Sequence, residues 1–139
     1  MATKVFINHP VKDLERSTSF FTQLGYRLNQ QYTDDKAACL AISDNIFVML
    51  LIQEYFQTFI TKSICDAKVS TEVLIALDAP SREAVMTTVA KAKELGAVIY
   101  SEPQDHGWMY QHSFADLDGH QWELVYMDES KIPGAGQNL

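Results

Sequence analysis

Few side chains in this sequence are typed and spaced for chemistry, and the first among them is a carboxylate. Glu123 sits in "DLDGHQWELVYMD", residues 116–128, between Trp122 and Leu124. Asp118-Gly119 supplies turn chemistry, because Gly accepts positive φ and Asp can hydrogen-bond its own backbone; the Trp, Val and Tyr that follow suit an extended chain. Alternation along that strand sends Gln121, Glu123 and Val125 to one face and His120, Trp122, Leu124 and Tyr126 to the other. A second stretch, "PQDHGWMYQHSF", residues 103–114, reads as a loop running into a strand. Trp108, Tyr110 and His112 alternate onto one face, where an aromatic ring and an imidazole would stack on and hydrogen-bond an organic ligand. An aromatic ladder packed on a helix, with His106 and His112 in solvent, explains the same pattern. Cys39 and Cys65 form no CxxC or Cys/His cluster and read as small hydrophobes rather than nucleophiles. There is no Ser-His-Asp spacing, Gly-rich phosphate loop or HExxH, so hydrolase, kinase and zincin readings have no support.

The elements that must position these residues repeat once along the chain. "KVFINHPVKDLERSTSFFTQLGYRL" predicts a strand over Lys4 to Val11, then a helix capped by Asp13 with Glu15 in its first turn. Leu14, Ser17, Phe21 and Leu24 make its inward stripe, widened by Phe20, and Gly25 ends it. "STEVLIALDAPSREAVMTTVAKAKELGAVIY" repeats the grammar: a strand from about Thr71 to Leu77, then a helix capped by Ser81. Its stripe is Val85, Val89, Ala92 and Leu95, and Gly96 ends it. Each half then offers a further strand, a turn at Asp44-Asn45 or Asp118-Gly119, and a last strand, "IFVMLLI" or "HQWELVYM". The matching glycines stand 71 residues apart and the matching turns 74, as two βαβββ copies with small loop insertions would. "QEYFQTFITKSICDAK", residues 53–68, reads as a short helix or packed flap between the copies. The tail "IPGAGQNL" has turn-and-disorder composition.

A chain of 139 residues, 47% hydrophobic and 21% charged, is one domain's worth of soluble, core-forming protein. No run of about 18 apolar residues exists to span a membrane, and the N-terminus lacks the apolar core of a secretory signal, so the expected location is cytoplasmic. A net charge of −7 without a Lys/Arg cluster argues against nucleic acid and anionic membrane surfaces as partners.

Two βαβββ modules, the first containing "PVKDLERSTSFFTQLG" and the second ending "DLDGHQWELV", resemble the vicinal oxygen chelate superfamily. That group includes glyoxalases, bleomycin- and fosfomycin-resistance proteins and extradiol dioxygenases. The resemblance covers nearly the whole chain. It implies an α+β fold, a single glyoxalase-like domain over 1–139. Within it fall module one at about 3–52, a connector at about 53–67, module two at about 68–128 and a tail at 129–139. It also implies a cavity walled by the curved sheets, where metal-dependent members take one ligand from the first and one from the last strand of each module. Carried over residue by residue, those positions fall on Phe6, Met49, Leu74 and Glu123. Phe6 and Leu74 have no lone pair and the Met49 thioether is a soft donor, so one carboxylate remains where a divalent cation wants several hard or borderline ligands.

The departure of three positions from that pattern points to a site without metal. Glu123 is tolerated in its strand because its face looks into a cavity, whose wall is Phe6, Asn8, Phe47, Met49, Leu51, Glu72, Leu74, Gln121 and Glu123. A one-residue slip of the first strand would instead bring His9 to that wall, giving His9, Glu72 and Glu123 as a thinner divalent-metal site. The leading expectation is a homodimeric protein that holds a small organic molecule in a largely apolar cavity, Glu123 being the anchor and, if there is turnover, the general base. The alternative is a metal-dependent lyase, isomerase or dioxygenase on the rearranged ligand set. Catalysis and sequestration both stay open at this point.

Overall fold

Asp13 opens the first helix as its position in the sequence predicts. Strand β1, Val5–Val11, leads into helix α1, Leu14–Gln23, and the Asp13 side chain accepts from the Arg16 amide at 3.1 Å. That bond satisfies one of the donors every helix start leaves without an intrahelical partner. Ser17, Phe20 and Phe21 form the buried side of α1. In the computed structural model, which describes residues 1–133, the chain divides into two compact units, Met1–Ser70 and Thr71–Leu139. Residues 134–139, most of the tail "IPGAGQNL", lie outside the described residues.

Unit one continues with β2, Arg27–Asn29, a 3-10 turn at Gln30–Tyr32, β3, Ala37–Ala41, β4, Ile46–Ile52, and a short helix α2, Gln53–Gln57. Its sheet runs in the order β1-β4-β3-β2, with β1 parallel to β4 and the remaining pairs antiparallel. The central strands are covered on both faces. Ala38, Leu40, Val48 and Leu50 are buried on one, and Ala37, Cys39, Phe47 and Leu51 on the other. The β1 edge is open by contrast, with Val5 and Phe6 each nearly half exposed.

Unit two repeats the plan with β5, Ile75–Asp78, helix α3, Arg82–Glu94, then β6, Gln104–Asp105, β7, Met109–Ala115, and β8, Gln121–Met127. Its order is β5-β8-β7-β6, again with the first strand parallel to the last. Ser81 caps α3 by accepting from the Ala84 amide at 3.0 Å. Gly25 and Gly96 end the two helices at φ 109° and 107°, a conformation that Cβ-bearing residues rarely adopt. The fold is α+β, two βαβββ units, each with a four-stranded mixed sheet.

Two expectations about this unit need correcting. The strand expected from Thr71 begins only at Ile75, and Thr71–Leu74 is an exposed irregular run. The reason is the partner: β8 emerges from its turn at Gln121 and its Trp122 already pairs with Ile75, so beyond a single residue β8 offers no ladder to the run before Ile75. The turn before β8 is organised by Asp116 rather than by Asp118. The buried Asp116 carboxylate accepts from the Asp118 and His120 amides at 2.9 and 3.0 Å and from the Trp122 indole N–H at 2.9 Å. Burial pushes the Asp116 carboxyl above its ordinary pKa, against the pull of His120 and of the Trp122 hydrogen bond.

Candidate functional site

Register decides which side chains Glu123 meets. In the β7–β8 ladder positions equidistant from Asp118 pair: Ser113 with Glu123, Gln111 with Val125, Ala115 with Gln121. Directly paired residues share a face, so Gln111, Ser113, Gln121 and Glu123 stand on one side of the sheet with Ala115 and Val125. On the other flank of Glu123, β5 contributes Ala76. The Gln111 side-chain amide donates to Glu123 Oε2 at 2.9 Å, which fixes the orientation of the carboxylate, and Ser113, directly opposite, is buried. The result is a polar centre of carboxylate, amide and hydroxyl within a rim of small apolar side chains.

Tyr110, His112 and Phe114 pair with Tyr126, Leu124 and Trp122 and therefore occupy the opposite face. Helix α3 covers that face, because its Arg82 lies over the Tyr110 ring at 5.3 Å. Tyr110 is buried there, and the His112 ring nitrogen Nε2 meets the Ser101 carbonyl at 3.0 Å. Trp108 precedes β7, and its carbonyl accepts from the Asp128 amide at 2.7 Å. The structure thus separates Tyr110 and His112 from Glu123 and brings Gln111 and Ser113 to it. Counting outward from the Asp116–His120 turn would have found both in the sequence. Glu72 sits in an exposed bend and Leu74 in the exposed run before β5, so Ala76 is the β5 residue paired with Glu123.

In unit one, Phe6, Asn8, Phe47, Met49 and Leu51 share a face, together with Cys39 and Ala41. The Phe6 ring stacks on Phe47 with centroids 4.9 Å apart, and Tyr32 meets Phe6 edge-on at 6.4 Å. The exposed Asn8 side chain donates to the Phe6 carbonyl at 3.2 Å, a local backbone bond. Met49 lies opposite the buried Cys39, whose thiol is pushed above its usual pKa by burial and is a correspondingly poor nucleophile. His9 pairs with Leu50 on the reverse face, so the strand slip that would have turned its imidazole to the Phe6 side does not occur.

These residues do not fit a divalent ion. Phe6 and Leu74 offer no donor, Met49 only a thioether, and Glu123 Oε2 already accepts from Gln111. Among the described residues no group of three or more His, Cys, Asp or Glu is placed to hold a metal.

Relatives carry the same architecture. The family model for the bleomycin resistance protein-like N-terminal matches residues 3–43. The structure of hypothetical protein SA1046 from S. aureus is 31% identical, covering 91% of this chain and 95% of that one with a TM-score of 0.78. A glyoxalase/bleomycin resistance protein/dioxygenase family enzyme from Burkholderia phytofirmans PsJN shares the fold at 17% identity, 88% and 96% coverage and a TM-score of 0.73. The genomically encoded fosfomycin resistance protein FosX from Listeria monocytogenes shares it at 22% identity, 91% and 93% coverage and a TM-score of 0.66. No curated protein sequence matches the chain. The chain belongs to the vicinal oxygen chelate superfamily, the group of glyoxalases, bleomycin resistance proteins and dioxygenases.

Proposed function

We propose that this protein binds a small organic molecule against the Glu123 face of unit two, without the metal that many superfamily members use. The observation that carries the reading is the Gln111–Glu123 hydrogen bond opposite Ser113. It is a polar centre with fixed orientation, set among Ala76, Ala115 and Val125. Small-molecule sites are built this way, mostly apolar with a few polar groups that set orientation. A carboxylate at the centre favours a ligand presenting an N–H, O–H or cationic group, since charge-assisted hydrogen bonds are the strong ones. If the bound molecule is turned over, Glu123 is the group placed to take its proton, with Gln111 holding the accepting oxygen in line.

The working form we propose is a cytoplasmic homodimer. The net charge of −7 supports small-molecule rather than nucleic-acid partners, and no helix among the described residues is long and apolar enough to cross a membrane. The test is a thermal-denaturation screen of small amines, alcohols and uncharged aromatics on wild type and Glu123→Ala. A ligand of the folded state raises the midpoint by mass action whatever the chemistry. Ligands that stabilise wild type and not Glu123→Ala support the reading; ligands that stabilise both equally place the site elsewhere.

A further inference from the structure

Unit one holds a groove of about 270 Å³ at the end of its sheet, away from Glu123 in the sequence and made from different elements. Arg27, Leu28 and Asn29 of β2 form one wall, and Ala41, Ser43, Asp44 and Phe47 form the rest. The Phe6 ring stacks on the face of Phe47. The turn carrying Asp44 is also fixed, because the Ser43 hydroxyl accepts from the Asn45 and Ile46 amides at 3.2 and 3.1 Å. Arg27 and Asp44 are exposed and of opposite charge, and neither forms an ion pair with the other or with any described residue. Most other aspartates of the unit are engaged in capping or turn bonds: Asp13 with Arg16, Asp34 with Lys36 and Ala37, Asp66 with Lys68.

We propose that this groove is a second ligand site, for a small zwitterion of the apolar α-amino-acid class. Two unpaired charges of opposite sign on one wall set, beside Ala41 and Phe47 on the face that Arg27 shares, match a molecule with a carboxylate, an ammonium and a small apolar body. Arg27 takes the carboxylate through its planar fork of donors, and Asp44 takes the ammonium. The size agrees: the groove falls just below the roughly 300–1,000 Å³ of drug-sized pockets, which leaves room for an amino acid and little more.

The proposal stands independently of the Glu123 reading, and its test keeps the two apart. Full-length protein labelled with nitrogen-15 is titrated with L-phenylalanine, with 3-phenylpropanoate, which lacks the ammonium, and with 2-phenylethylamine, which lacks the carboxylate. The expected result is saturable amide shifts for residues 27–29 and 41–47 with L-phenylalanine, and binding at least about tenfold weaker for each single-charge analogue, the loss of one charge-assisted contact. Arg27→Gln and Asp44→Asn should each weaken L-phenylalanine binding by a similar factor, at least about tenfold, while keeping the dispersed spectrum of a folded chain, and Glu123→Gln should leave it unchanged. The proposal is overturned if L-phenylalanine gives no saturable shift in those residues, or if either single-charge analogue binds as well. It is equally overturned if Arg27→Gln binds as tightly as wild type or if binding is lost in Glu123→Gln.

Discussion

Neighbours on β8 do opposite jobs, and that sets how single substitutions should behave. Trp122 is 1% exposed and its indole N–H binds the buried Asp116 carboxylate, so Trp122→Ala removes a packed ring and strips a partner from a desolvated acid. Its cost should be about 3–5 kcal/mol, the range for deleting a buried aromatic. Glu123→Ala opens only a half-buried polar position and should cost much less stability while weakening ligand binding. Denaturant unfolding of both variants decides it, and equal losses would mean the faces are assigned the wrong way round. Gln111→Ala should leave stability near wild type and weaken the same ligand by about three- to tenfold, the net worth of a hydrogen bond that orients the carboxylate. Titration of that variant with a ligand from the thermal screen is the check. Glu123 was legible in the sequence because a lone carboxylate in an apolar strand stands out. Gln111 and Ser113 do not stand out by type, since neither is unusual in a strand; the signal that reaches them is the count outward from the turn at 116–120, which sets the ladder register.

At the scale of elements, the loop before β7 is tied to the start of α3 by one clamp. Arg82 donates through both terminal nitrogens to Asp105, at 2.6 and 2.7 Å, and from one of them to the Gly107 carbonyl at 3.2 Å, while its guanidinium lies over Tyr110. The Arg82 hydrogen bonds hold the Asp105 carboxyl down at about 2, with help from the Gly107 amide. A carboxylate depressed in the folded state contributes its stabilisation above its unfolded pKa of 3.8 and loses it as pH falls through about 2. Amide protection over residues 105–109, measured against the intrinsic exchange rate at each pH, should therefore fall between those two values in wild type, whereas Asp105→Ala should show the unprotected loop at every pH. A loop whose exchange is the same in both proteins would remove the clamp. The helices, their caps at Asp13 and Ser81 and their glycine stops were readable because each depends on residues within a few positions. The late start of β5 and the helix-side placement of Tyr110 and His112 were not, since both follow from pairing partners distant in sequence.

The molecule as a whole is one supersecondary unit written twice, and the drifting offset between the copies announced it. The order of strands in each sheet, with the first beside the last, needs tertiary information that spacing alone does not carry. Repetition also exposes what has diverged. The positions that the resemblance assigns to metal hold Phe6, Met49 and Leu74, and in unit one Phe6 is stacked on Phe47. The Glu123 carboxylate accepts from the Gln111 amide. Whether this face binds its ligand through a protein carboxylate without a divalent ion is decided by elemental analysis. Protein purified without a histidine tag, incubated with nickel, zinc, manganese or iron and then desalted, should retain far less than one equivalent of any of them. One equivalent of tightly held metal in wild type, absent from Glu123→Ala, would make Glu123 a metal ligand and overturn the metal-free reading.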